Sequence, residues 1–218
     1  MAARLFSDLV NRISPNTPGA PQPVIVTNVR DAAIEACEKT LAYKYVQAEQ
    51  TLVNGTYSYS YVPASGTEVH AILSVNINDN IKITPKTVED ITRIYPFWPT
   101  TASAYRGSPQ YVVHFDADTY LMALTPDAAT TYLLHMILAL KPLRTATGLE
   151  QSVFDELEDV IVHGTLQRML TMPEQTWSDT ELAAYHAKQF TYKMAERRAR
   201  ATVGAGRAAL TARMQSWS

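Results

Sequence analysis

The sequence predicts an α+β fold: a helical bundle body of long antiparallel helices, a small antiparallel β-insertion, and extended N- and C-terminal arms. Three observations predict it. The stretch LKPLRTATGLEQSVFDELEDVIVHGTLQRMLTMPEQTW (residues 140–177) carries the clearest helical period in the chain. Residues 43–124 instead show short Tyr- and Val-rich runs broken by turn residues. Residues 14–23 (SPNTPGAPQP) hold four prolines and a glycine in ten positions, the composition of a linker. The resulting division is an arm at 1–23, a helical body at 24–42 and 126–196, a β-rich insertion at 43–125, and a basic tail at 197–218.

The N-terminal MAARLFSDLVNRI is amphipathic and reads as a short helix or arm. A helix is expected to start near Asn28, with Ala32, Ala33, Ala36, Cys37 and Thr40 on one side. Strands are expected over residues 43–49, 56–61 and 69–76, the first two joined as a hairpin across Asn54-Gly55. Asp79-Asn80 reads as a turn into a short strand at 81–83. Thr84-Pro85 then caps a brief helix through Ile94 that Pro96 ends. Residues 96–109 are loop-like, and strands at 110–115 and 120–124 are joined across residues 116–118. Thr125-Pro126-Asp127 makes a turn. The apolar run at 131–140 fits either a strand or a helix, and Pro142 favours the strand because it discourages helix before it.

In the last third, Val153, Phe154, Leu157, Val160, Ile161, Leu166, Met169 and Leu170 form one apolar stripe at 3.6 residues per turn. Thr147 and Glu150 have the spacing of a capping box. Five acids (Glu150, Asp155, Glu156, Glu158, Asp159) stand in the first turns, where the helix dipole favours negative charge. Pro173 closes this helix, and Ser178 with Glu181 has the spacing of a second capping box. That next helix runs from about Asp179 into the basic tail, where Gly204 and Gly206 bend or fray it.

With 218 residues, 46% hydrophobic and 18% charged, the chain has the make-up of a globular domain that buries a sizeable core. The run YLLHMILAL (132–140) is too short to span a bilayer, and the N-terminus lacks a secretory pattern, so an intracellular origin is expected. The single Cys37 excludes an internal disulfide and reads as a small core residue. The net charge of −2 conceals an asymmetry. Residues 188–218 carry seven basic residues against Glu196, or +6, which leaves 12 basic and 20 acidic residues, or −8, in residues 1–187.

The candidate chemistry is thin. His114, Asp116 and Asp118 alternate as metal ligands on one strand face would, but Asp is equally at home in a hairpin turn, bonding its own backbone. His135 reads as a hydrogen-bonded core residue. His163 and His186 fall on separate helices without ligand spacing. No nucleophile elbow, phosphate loop or dinucleotide fingerprint is present. No catalytic residue, metal or cofactor is therefore expected.

The basic tail admits three readings: phosphate contacts with nucleic acid, a solvated helix face, or docking on a protein surface. Docking fits Arg197, Arg198, Arg200, Arg207 and Arg213 best, because Met214 and Trp217 stand at their end and Arg with aromatic anchors is typical of interfaces.

Taken in order, short motifs resemble the head-to-tail adaptors of short-tailed bacteriophages, the tail tubular protein A class. Arg30-Asp31-Ala32-Ala33 and Ala36-Cys37-Glu38-Lys39-Thr40 resemble that family's first helix. Tyr95-Pro96-Phe97-Trp98 and Gly107-Ser108-Pro109-Gln110-Tyr111 resemble a loop and the strand behind it. Leu124-Thr125-Pro126-Asp127, Leu140-Lys141-Pro142 and Arg144-Thr145-Ala146-Thr147-Gly148-Leu149 follow. His163-Gly164 sits in the long helix, where Gly164 allows close helix contact, and Trp177, Ala183-Ala184-Tyr185 and Phe190 complete the series. The resemblance implies a non-enzymatic virion protein of the neck between capsid and tail, assembled in the host cytoplasm. It implies a homo-oligomeric ring, a dodecamer, that contacts the portal protein and a tail tube or nozzle protein. Packaged DNA would pass through the lumen without specific contact, and no membrane is involved. The competing expectation is a DNA-binding or packaging accessory protein acting through the basic tail.

Overall fold

The structure, a computed structural model, describes residues 3–78, 81–129 and 131–203. In chain order its elements are β1 (Ala3–Leu5), α1 (Val10–Ile13), α2 (Gln22–Thr40), β2 (Lys44–Leu52), β3 (Ser58–Ser60), β4 (Thr67–Ile77) and β5 (Ile81–Lys86). Next come α3 (Val88–Ile94), β6 (Arg106–Gly107), β7 (Tyr111–His114), β8 (Thr119–Ala123), β9 (Thr125–Pro126) and β10 (Tyr132–Pro142). The chain closes with β11 (Gly148–Glu150), α4 (Gln151–Leu170) and α5 (Thr180–Val203).

The organising element is β10. Its apolar run is extended, and every second residue (Tyr132, Leu134, Met136, Leu138, Leu140) is buried, the period of two that a strand imposes. With core on that face it becomes an inner strand, antiparallel to β2 on one side and to β4 on the other. The seven-stranded order is β2-β10-β4-β5-β7-β8-β3, with β5 and β7 parallel and the remaining neighbours antiparallel. The sheet curls so that its β2 edge reaches β8 and the segment after β3 through side chains. Gln47 Oε1 accepts from Val62 N at 3.1 Å, and the Tyr120 hydroxyl donates to Gln50 Oε1 at 2.7 Å.

This arrangement corrects the expected fold class. The protein is β-rich and built on a curled mixed sheet, and its described residues form no long antiparallel helical bundle body with a small antiparallel β-insertion attached. The misreading has a physical source. Helical periodicity is written locally, whereas β10 pairs with strands some 60 to 90 residues earlier in the sequence, a relation with no local signal. The helices supply the other side of the main core, while Ile91, Trp98, Val113, Leu121 and Ala123 form a second, smaller cluster. Ala32, Ala33, Ala36 and Cys37 of α2 are fully buried, and α2 packs on β10 and on α4. All eight apolar residues expected on the stripe of α4 are buried. Cys37 lies in that core, where burial pushes its thiol up to about 12.

The N-terminal segment, expected as a short helix or arm, contains a short helix and is packed into the fold. β1 pairs with β11, and Phe6, Leu9 and Ile13 have no exposed surface. Their spacing of three and four lets a short 3-10 turn and α1 set all three into the core. Proline 23 lies in the first turn of α2, where its missing N–H costs nothing, so this helix starts at Gln22 and not near Asn28.

Other local expectations shift by a few residues. The Thr147–Glu150 box does not form, because Glu150 ends β11 and the Thr147 carbonyl accepts from Phe6 N at 3.0 Å. Asp179, not Ser178, caps α5 by accepting from Leu182 N at 2.9 Å, while Ser178 Oγ donates to the Leu170 carbonyl. Thr84-Pro85 stays in β5, and Thr87 caps α3 by accepting from Asp90 N at 3.2 Å. The strands on either side of Asn54-Gly55 are not partners, since β2 pairs with β10 and β3 with β8. Residues 79 and 80, expected to form a turn, lie outside the described residues. No described helix is long and apolar enough to cross a membrane.

Candidate functional site

The best-defined constellation outside the core is the seam between α4 and α5. Gly164 makes it possible: a Cβ there would stand 2.7 Å from Phe190 Cε2. Without that side chain the ring of Phe190, 4% exposed, lies directly on the α4 backbone. The guanidinium of Arg168 sits 5.7 Å from the Phe190 ring centroid, bonds the Gly164 carbonyl, and pairs with Glu35 of α2. Three helices are thereby tied at one point, and the expected close helix contact at Gly164 is found.

At the residue before Gly164 the same seam brings His163 and His186 together. Their Nδ1 atoms are 2.8 Å apart and their rings 5.1 Å apart. Sequence reasoning kept these histidines separate because they lie 23 positions apart on different helices. The available signal was Gly164 beside His163, which marks the face of α4 that the next helix approaches. Burial, followed by the neighbouring charges of His186 and Lys193, holds His163 below its ordinary range. Burial alone does the same for His186.

The acids of α4 form the next layer. Glu158 accepts from Arg4 at 2.8 Å and also pairs with Arg12. Asp159 pairs with Lys193 of α5 at 3.3 Å and with Arg12 at 3.4 Å, and Asp155 pairs with Arg4 at 2.8 Å. Burial would raise both Glu158 and Asp159, but the hydrogen bonds from these cations outweigh it and hold each carboxyl below its usual range. These acids thus clamp the N-terminal segment and α5 onto α4. They stand beyond the first turn, where a helix-dipole role was expected.

The expected docking residues divide in two. Arg197, Arg198 and Arg200 lie on the last turns of α5, with Arg198 and Arg200 exposed. None of the three makes an ion pair with another described residue. The helix end is held by Lys44 Nζ of β2, which donates to the Ala201 carbonyl. Arg207, Arg213, Met214 and Trp217 lie outside the described residues.

The string from His114 to Asp118 folds as the hairpin turn that Asp favours. Asp116 Oδ1 accepts from Asp118 N at 2.9 Å and from Thr119 N at 2.7 Å. The hydrogen bonds from Thr119 and Asp118 hold this carboxyl below the usual range. His114 Nδ1 lies 2.8 Å from the Tyr61 hydroxyl. Among the described residues no group of three or more His, Cys, Asp or Glu is arranged to hold a metal ion. His135 is only half-buried, with Nε2 3.6 Å from Glu49 Oε2.

A second surface feature carried no sequence signal beyond its aromatic content. Ile94, Tyr95, Phe97, Trp98, Tyr105 and Leu124 line an apolar pocket of about 90 Å³. Its rim is exposed, with Phe97 68% accessible and 5.6 Å from the Tyr105 ring.

A model of a protein family described as SU10 adaptor protein matches residues 4–213. No curated protein matches the chain.

Proposed function

The chain belongs to the SU10 adaptor protein family, a phage adaptor-type structural family, and on that premise we propose that it is a head-to-tail adaptor of a tailed phage virion. In this reading it forms a homo-oligomeric ring of twelve copies at the neck, below the portal protein and above a tail tube or nozzle protein. It acts as scaffold and not as enzyme. DNA leaves through the lumen without specific contact. The tail tubular protein A class is the finer relation we propose.

The observation that carries this reading is the extent of the family match, which spans 210 of 218 residues (213 − 4 + 1) and so includes the N-terminal segment, the sheet and the basic end. Two features of the chain support it. Residues 188–218 are +6 while the rest is −8, so a basic end offered to an acidic neighbour is joined to a body that repels DNA. Arg197, Arg198 and Arg200 are held at the end of a continuous helix and make no ion pair with described residues, which leaves them available to a partner. A ring contact is heterologous, one face meeting a different face, and closes only at the right rotation.

The test is electron microscopy of the purified chain at high concentration with a mass determination, alone and with portal protein. Rings with a central hole are the expected result. Reversing Arg197, Arg198 and Arg200 to Glu is expected to preserve the fold and weaken portal docking. DNA-dependent aggregates that lose most of their affinity between about 50 and 200 mM salt, with no rings under any condition, would overturn the proposal in favour of a DNA-binding accessory protein.

A further inference from the structure

The contact between His163 and His186 has room for a single hydrogen. At 2.8 Å between two Nδ1 atoms, one nitrogen donates and the other must present a lone pair. The pair therefore tolerates the neutral form and one added proton, which the imidazoles share. It does not tolerate two, because two N–H groups would then face each other across the same gap.

The surroundings decide which way the pair leans. On α4, Asp159 stands one turn before His163 and would favour its charged form. That carboxylate is already shared between Lys193 of α5 and Arg12 of α1, so two cations flank the pair for one acid. On α5, Tyr185 presents its ring edge-on to His186 at 5.2 Å. Arg168, one turn beyond His163 on α4, is neutralised by Glu35 of α2. His186 is 7% exposed, and one turn further along α5 the Phe190 ring packs on Gly164. His163 is half-buried and His186 buried, and the net local charge opposes further protonation.

We propose that His163 and His186 form an acid-sensitive latch that holds α5 on α4 near neutral pH and releases it when both imidazoles are protonated. What is released is the helix that carries Arg197, Arg198 and Arg200. Both groups are held below their ordinary pKa by burial, so the stability they contribute is fully present above about 6.5, the unfolded value. It falls as pH drops below that value, because the open form takes up protons that the latched form refuses. Each proton taken up on opening multiplies the open population about tenfold per pH unit, so two imidazoles set a ceiling of about a hundredfold per unit. The inference concerns the seam alone and stands whether or not the chain forms a ring.

The experiment is hydrogen–deuterium exchange of the full chain at pH 7.5, 6.5, 5.5 and 5.0, corrected for intrinsic exchange rates. Peptides from 180–203 are compared with peptides from 22–40. The expected result is a selective loss of protection in 180–203, between tenfold and a hundredfold per pH unit below about 6.5, with 22–40 unchanged. His186→Gln keeps a neutral hydrogen-bonding side chain that cannot titrate, and is expected to hold the pH dependence of 180–203 to at most about tenfold per unit. His163→Gln is the second variant with the same expected outcome. Equal pH response of both regions in the wild type overturns the latch, as does an undiminished response of 180–203 in both variants. If neither variant folds, histidine NMR titration of the wild type decides. Two coupled titrations below the ordinary range support the latch, and two independent titrations near 6.5 overturn it.

Discussion

Gly148→Ala tests whether the N-terminal segment is an integral layer of the fold. Gly148 is opposite Leu5 where β1 pairs with β11. A Cβ built there lies 2.4 Å from the Arg4 carbonyl oxygen, 3.1 Å from Arg4 C and 3.2 Å from Leu5 Cα. All three are backbone atoms, so no rotamer change relieves the clash, and β1 must move by about 1 Å to restore an ordinary contact. Overpacking that displaces backbone costs about 1–3 kcal/mol. The segment cannot slide freely, because Phe6, Leu9 and Ile13 are anchored in the core, each burial being worth about 1.5–3 kcal/mol. The expected outcome is an urea unfolding free energy lower by about 1–3 kcal/mol with an unchanged m-value. Opening of residues 3–13 should rise roughly tenfold for each 1.4 kcal/mol lost, read as faster tryptic cleavage after Arg4 and Arg12. Gly66→Ala is the control. Gly66 has φ +78 and nothing within 4 Å, so its substitution strains the backbone without touching β1. Cleavage after Arg4 and Arg12 at the wild-type rate in Gly148→Ala, with an unchanged unfolding midpoint, would refute the reasoning.

The remaining predictions concern the seam, the acid cluster and one cap. Gly164→Ala gains about 1 kcal/mol of helix propensity but sets a methyl into the Phe190 ring, an overpacking worth about 1–3 kcal/mol. A net loss of up to about 2 kcal/mol in urea unfolding is expected, with recovery when Phe190→Leu is added; a stabilised single variant would contradict the close approach. Glu158→Gln removes the carboxylate shared by Arg4 and Arg12 and should cost about 1 kcal/mol at pH 7. The folded pKa of Glu158 is depressed, so its contribution is present above the unfolded value of 4.5 and is lost as pH falls through the folded one. The wild type should therefore lose more stability than the variant between pH 5 and 3, and parallel pH profiles would count against the clamp. Thr87→Ala removes the cap on Asp90 N and should cost about 1 kcal/mol, while Thr87→Ser should restore it; equal unfolding midpoints for all three chains would show that the cap contributes nothing.

Much of the local structure was legible because its causes are local. The stripe from Val153 to Leu170, the buried side of α2 at Ala32, Ala33, Ala36 and Cys37, and the Asp116 turn follow from periodicities and side-chain chemistry contained within a few residues. Boundaries slipped where a neighbour in space competed with a neighbour in sequence. Glu150 has capping-box spacing but is drawn into β11 by β1, and Ser178 bonds the Leu170 carbonyl, which leaves Asp179 to cap α5. The candidate docking residues were legible as a charge run, but only Arg197, Arg198 and Arg200 fall on described structure.

The sequence by itself determined which residues are apolar and with what period, that charge divides between body and tail, and which family the motif order resembles. Tertiary structure alone decided that the sheet and not the helices organises the fold: Pro142 already favoured a strand for the apolar run, but the partners of β10 are distant along the chain. It alone turned the N-terminal segment from an arm into core, since three apolar residues on one turn become an anchor only when a cavity meets them. It alone brought His163 against His186. Two helices approach that closely only where a glycine lets an aromatic ring rest on bare backbone, and the approach depends on the packing of the whole chain.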